Sequence, residues 1–181
     1  ILAMALALFV ALVPLNGMAH VSDEVAYTLQ ARLFSHGMRT GPAFPVPSMV
    51  DYPFWVAAPR SYSPFPPGWP ALLALGVGLG APWLVNVLVV GAFPMITWLL
   101  GRECLGPREA GIAAAVAAVS PKLALLAGSR MSQVSVLVAL GLAAVVVVRA
   151  RDAVPAWIGA GLAIGYVVLA RPFDAFLIGI P

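Results

Sequence analysis

Four apolar stretches, 82–101, 111–128, 132–148 and 155–170, follow one another with only short polar breaks between them. A bilayer core of about 30 Å takes about 20 apolar residues as a helix. Stretches of this length and spacing predict membrane-spanning helices joined by tight turns. The charge content points the same way. Only 9% of the 181 residues are charged and 62% are hydrophobic, whereas roughly a quarter of a soluble domain is charged. So little charge cannot cover a water-facing surface, and lipid must cover the rest. The expected fold is all-α: a polytopic transmembrane helix bundle, integral to a bacterial inner or plasma membrane. The richness in Ala, Val, Gly and Pro fits a GC-rich bacterial genome.

Within the bundle, Pro94 should kink the first of these spans, and Ser120-Pro121-Lys122 should interrupt the second. Residues 71–80 are apolar but too short to span and predict a shallow or re-entrant helix. Residues 1–15 are uncharged and read as the outer part of a first membrane helix. The rival is a signal peptide, with Gly17-Met18-Ala19 as the cleavage region. The chain starts at Ile1 and stops at Pro181 inside an apolar run, so both ends are expected to be cut. Gly161 and Gly165 form a small-xxx-small pair, for which close helix packing suffices.

Residues 16–70 differ in character. They carry Asp23, Glu24, Arg32, Arg39, Asp51, Arg60 and many prolines, as a long extramembrane loop would. Ser22 to His36 predicts a helix in it. Ser22 can cap the start, Asp23 and Glu24 suit the positive end of the helix dipole, and Gly37 can end it. Val25, Leu29 and Leu33 share one face, with Gln30, Arg32 and His36 elsewhere, as in a helix lying at a membrane surface. Residues 41–67 predict irregular structure. Three regions follow: 1–15, a first membrane helix; 16–70, an extracytoplasmic loop; and 71–181, a re-entrant segment with further membrane helices.

Orientation comes from the short breaks. Arg102, Arg108, Arg149 and Arg151 fall in two of them on one side, which should be cytoplasmic. The long loop, Lys122, Arg130 and Arg171 then share the outer face. The net charge of +3 is scattered, with no basic run, so a nucleic-acid partner is not expected. The single cysteine, Cys104, excludes an internal disulfide and a cysteine metal cage.

Asp23 and Glu24 are the sharpest chemical feature. Adjacent helical residues point about 100° apart, so one acid can face a cleft while the other caps or pairs. A carboxylate at the membrane edge can take a proton from an attacking hydroxyl. Arg60, Lys122, Arg130 and Arg171, from four segments of the outer face, can hold a phosphate; snorkelling to lipid headgroups is the plainer role. Tyr62, Trp55 and Trp69 can line a site or belong to an interfacial aromatic belt. His20 and His36 lie at opposite ends of the predicted helix, a poor geometry for one metal ion.

The order of these features resembles a family. Asp23-Glu24 after a first helix, Tyr27, Ala31-Arg32-Leu33, Gly37, Tyr62, Pro66-Pro67-Gly68-Trp69-Pro70, Ser120-Pro121 and Gly161 to Gly165 leading to Arg171-Pro172 resemble the N-terminal membrane module of GT-C glycosyltransferases. The likeness is to the protein O-mannosyltransferase-like and aminoarabinose transferase-like groups. It implies a polyprenyl-phosphate-sugar donor and a lipid, glycan or protein acceptor, with inverting transfer on the extracytoplasmic face. It implies Asp23 as the catalytic carboxylate, with Glu24 beside it, and Arg60, Lys122, Arg130 and Arg171 as donor-phosphate ligands. Tyr27 and Tyr62 would line the substrate site. No cofactor is fixed, and a divalent metal stays open. The alternative is a multi-pass transporter or flippase of a lipid-linked or small polar substrate. It would want clustered polar groups at mid-membrane, where only Asn86, Thr97 and Gln133 stand, apart from one another.

Overall fold

The computed structural model describes residues 1–47, 54–149 and 153–179. Asp51, Arg151 and Asp152, expected in polar loops, lie outside them. The chain is mostly helical: α1 (Leu2–Leu12), α2 (Ser22–Ser35), α3 (Gly68–Gly78), α4 (Leu84–Val90), α5 (Ala92–Cys104), α6 (Pro107–Ala118), α7 (Pro121–Gly128), α8 (Gln133–Arg149), α9 (Val154–Ala170) and α10 (Pro172–Gly179). Between α2 and α3 the irregular loop contains two short strands, β1 (Gly41–Pro42) and β2 (Arg60–Ser61), paired antiparallel.

The expected breaks occur for the expected reasons. Pro94 has no N–H, and its ring crowds the carbonyl four residues earlier; the helix is interrupted just there, at Gly91 between α4 and α5. Ser120 caps α7, its Oγ accepting from the Leu123 N–H, and α6 and α7 meet at 48°. Leu84–Cys104, counted through its break, is the one helix among the described residues long and apolar enough to cross a membrane. The α6–α7 pair passes the same test if taken as one bent span; α1, α3, α8 and α9 are apolar but shorter.

Small side chains set the packing. Ala3, Ala7 and Ala11 recur every fourth residue on α1 and are buried. They let α1 lie against α4 and α7. Gly128 completes that crossing, since a Cβ there would stand 2.9 Å from the Ala11 nitrogen. A second core joins α2, α3, α8 and α9 around the buried Trp69, Leu73, Tyr27 and Val167. Gly68 sits against the end of α9, where a Cβ would meet the Leu169 carbonyl carbon at 2.7 Å. Gly161 and Gly165 do not pack in this way. Nothing lies within 4 Å of a Cβ built at either, so the close crossing expected there is absent among the described residues.

Two details of α2 also differ from expectation. Its N-cap position falls on Val21, which makes Ser22 the first helical residue. The buried face is Glu24, Tyr27, Thr28 and Ala31, with Ala26 and Gln30 beside it, while Val25, Leu29 and Leu33 are half-buried. Alanines at 26 and 31 allow close approach to α3, and hydrogen bonds at both ends of its side chain let Gln30 go inside. Gly37 ends the helix with φ +72°.

The two ends of the molecule are distinct. At one, Arg149 at the end of α8 bridges to Glu103 at 3.0 Å, and Arg102 lies over Trp98. This brings the two arginine-bearing corners together. At the other lie the α1–α2 loop, α2 and the α7–α8 turn, tied by Arg130 and by the Trp69 indole, which donates to the Arg130 carbonyl at 2.8 Å.

Candidate functional site

A cleft of about 290 Å³ opens beside the start of α2. Four segments build it. The first turns of α2 supply Asp23 and Tyr27, one helical turn apart. The segment before α3 supplies Phe65, the turn into α8 supplies Gln133, and the α9–α10 junction supplies Arg171 and Asp174. The junction has a local cause. Proline disfavours the helical conformation of the residue before it and suits the first position of a helix. Pro172 therefore ends α9 at Ala170 and starts α10, leaving Arg171 as the pivot in extended backbone. Asp174, in the first turn of α10, complements the helix dipole. It accepts from the Arg171 Nε at 2.6 Å.

Tyr27 is buried, and its ring stands 4.7 Å from that of Phe65, centroid to centroid. Burial pushes its phenol above the ordinary value of 10.0; the charge of Asp23 adds to this, while Ser132 and Arg171 oppose it. The phenol is thus neutral and a hydrogen-bond donor over the physiological range. The Gln133 carboxamide oxygen is buried without a hydrogen-bond partner among the described residues. An unpaired buried acceptor is costly, and here it borders the cleft.

A neighbouring apolar groove of about 340 Å³ shares part of its lining with the cleft. Gln133, Arg171 and Asp174 line both, and the groove adds Val136, Leu137 and Leu140 of α8 with Leu177 of α10. Larger furrows of about 500 and 520 Å³ run along α5, α6 and α8, and no acidic residue lines them.

The residues expected in one site are partly separated. Asp23, Tyr27 and Arg171 come together. Glu24 does not join them: it is 3% exposed, and its Oε2 accepts from the His20 N–H at 2.8 Å. The turn between adjacent helical residues sends one acid to the cleft and the other inward. Arg130 is likewise committed to the framework. Its guanidinium donates to Thr28 Oγ1 at 3.1 Å and to the Gly17 carbonyl. Burial lowers its pKa, Glu24 counters that effect, and Arg32 adds to it. Lys122 lies in the first turn of α7 (Pro121–Gly128) and Arg130 follows its end, so about 9 Å of helix rise stands between them; Lys122 lines an apolar furrow instead. Arg60 lies on β2, exposed, with Nη1 donating to Thr40 Oγ1 at 3.4 Å. Tyr62 lines a different cleft, described below.

Asn86, Thr97 and Gln133 remain unclustered. Asn86 donates to the Ser129 and Met131 carbonyls, tying α4 to the α7–α8 turn, and Thr97 donates to its own helix at Phe93. His20 and His36 each meet a nearby backbone carbonyl at opposite ends of α2. Phe65, Gln133 and Asp174 escaped the sequence reading as site residues. For Asp174 a signal exists: an acid three residues after Arg171, in the first turn of a helix opened by proline, faces that arginine.

No family model, curated protein or solved structure matches this chain.

Proposed function

We propose that this chain belongs to a multi-pass membrane glycosyltransferase. In this reading a sugar passes from a polyprenyl-phosphate donor to a lipid, glycan or protein acceptor at the extracytoplasmic face. One observation carries the reading: a small cleft holding an acid and an arginine shares Gln133, Arg171 and Asp174 with a neighbouring apolar groove. An amphipathic donor needs that juxtaposition, with its phosphate and sugar at Asp23 and Arg171 and its chain along α8 and α10. The outward apolar surface supports a lipid setting, with Leu162 71% and Phe173 83% exposed.

The chemistry follows from the side chains. The acceptor oxygen forms a bond to the anomeric carbon. The bond from that carbon to the phosphate oxygen breaks, and both electrons leave with the polyprenyl phosphate. Asp23 takes the proton of the acceptor hydroxyl. Arg171 neutralises the charge gathering on the departing phosphate, with its Nε side fixed by Asp174. Tyr27 and the Gln133 oxygen offer one donor and one acceptor to the sugar.

The test is transfer of labelled sugar from polyprenyl-phosphate donors by the protein in membranes. Asp23→Asn should lower transfer by about 10²- to 10⁴-fold, the usual weight of a general base. Arg171→Gln should lower it comparably, with insertion unchanged. Equal transfer by Asp23→Asn would remove that residue from the mechanism. Absence of transfer with every donor, alongside measurable uptake, would favour the transporter.

A further inference from the structure

Phe65 also lines a second cleft, of about 440 Å³, within the range of small-molecule sites, together with Gln30, Arg39, Thr40, Tyr62 and Ser63. Its walls are held from several directions. Gln30 is buried in α2 yet bonded at both ends, its Nε2 donating to the Arg39 carbonyl and its Oε1 accepting from the Ser63 N–H, each at 2.9 Å. Val56 and Tyr62 exchange both backbone hydrogen bonds, at 2.8 and 3.0 Å. Gly41 presses so closely on β2 that a Cβ would stand 2.5 Å from Ser61 Oγ. Arg60 reaches back to Thr40. Burying an amide side chain costs free energy unless its bonds are made, and here two of them pin this loop to α2. A surface loop fixed in this way is preorganised for binding.

The lining specifies the ligand. Tyr62 offers a flat apolar face suited to the C–H face of a sugar ring, Thr40 offers a hydroxyl, and Arg39 a guanidinium, while the Phe65 ring packs against those of Tyr27 and Phe54. Arg60 adds a second positive charge through Thr40, and no acid lines the cleft among the described residues. We propose that this cleft binds an acidic saccharide, a sugar carrying a carboxylate or a phosphate, and that this sugar is the acceptor. The acceptor role rests on the transferase reading; the saccharide site does not. Phe65 lines both clefts, with Pro66 in the Asp23 cleft and Pro67 in this one, so the two sites are neighbours along one short segment.

The experiment is equilibrium binding to the whole protein in lipid nanodiscs, with three probes: cellobiose, cellobiuronic acid and cellobiose 6′-phosphate. One or both acidic probes should bind about tenfold or more tighter than cellobiose, as a charge-assisted contact provides, and the better of them identifies the anion. Arg39→Gln should abolish that preference. Tyr62→Ala should weaken all three probes, and Tyr62→Phe should retain them, which separates ring stacking from a loss of fold. Three probes that bind alike, or not at all, or a preference that survives Arg39→Gln, would overturn the proposal. Charge-selective binding without transfer from any donor would leave the saccharide site standing and sink the transferase. Asp23-dependent transfer without such binding would do the reverse.

Discussion

Asp23 and Glu24 show how one helical step sends one acid to a cleft and the other into the framework. The split is legible in the sequence because adjacent helical residues diverge by about 100°; which acid goes inward is not, because that depends on α3 and the α7–α8 turn. Glu24→Gln keeps the shape and removes the charge beside Arg130. Losing that compensation for a half-buried cation should cost up to about 1 kcal/mol, since solvent screens part of it. The melting temperature should fall, while the folded fraction still transfers sugar. A Glu24→Gln protein of normal stability and no activity would put Glu24 in the chemistry. Tyr27 gives a pH signature. Its folded pKa lies above the ordinary value of 10.0, so the folded state holds the proton longer than the unfolded one. Its contribution to stability is complete below about pH 10 and is lost as pH rises through the folded pKa. Thermal melts between pH 8 and 11 should decline more steeply for wild type than for Tyr27→Phe, and parallel curves would mean that the phenol titrates normally. The sequence offers Arg171 and Tyr27 as site residues through the family resemblance. The break before α7 is legible, but the different surroundings of Lys122 and Arg130 are not, because they depend on which elements pack against each end of α7.

At the scale of elements, glycines that look alike in sequence do opposite things. Pro94, the Ser120-Pro121 step and Arg171-Pro172 act through the local chain, so the breaks at α4–α5, α6–α7 and α9–α10 could be read directly. Packing glycines act through partners distant in sequence and could not. The small-xxx-small spacing of Gly161 and Gly165 proved uninformative, whereas Gly68 of the Pro-Pro-Gly segment is in contact with the backbone of α9. Gly68→Ala must push α3 away from the end of α9, next to Arg171, so both stability and transfer should fall. Gly161→Ala meets no atom within 4 Å. It should leave the melting temperature unchanged or raise stability by up to about 1 kcal/mol through helix propensity. A clear loss at Gly161 would reveal another element covering that face of α9. The pinned loop before α3 lay beyond sequence reasoning for a further reason: two-residue strands carry no periodicity, and the bonds of Gln30 join α2 to partners 9 and 33 residues away.

Taken whole, the molecule has one end where Arg102, Glu103 and Arg149 gather and another where α2, both polar clefts and Arg130 gather. Between them its outward side chains are largely apolar. The mapping of these ends onto the two sides of a membrane can be tested directly, because nature supplies one reporter. Cys104 is the only cysteine in the chain and is exposed, at the end of α5 beside the Glu103–Arg149 bridge. If arginine-rich corners stay inside, a membrane-impermeant maleimide should label Cys104 in inside-out vesicles and not in intact cells. In a Cys104→Ser background, a cysteine replacing Ser35 at the end of α2 should show the opposite pattern. That site is exposed and outside both clefts, so labelling should leave the chemistry alone. The opposite pattern at both positions would put Asp23 and Arg171 on the cytoplasmic side, where a nucleotide-linked donor is available and a lipid-linked one is not required. Labelling of both from the same side would be incompatible with any odd number of crossings between α2 and the end of α5. It would require either that α4–α5 does not cross or that α3 crosses as well.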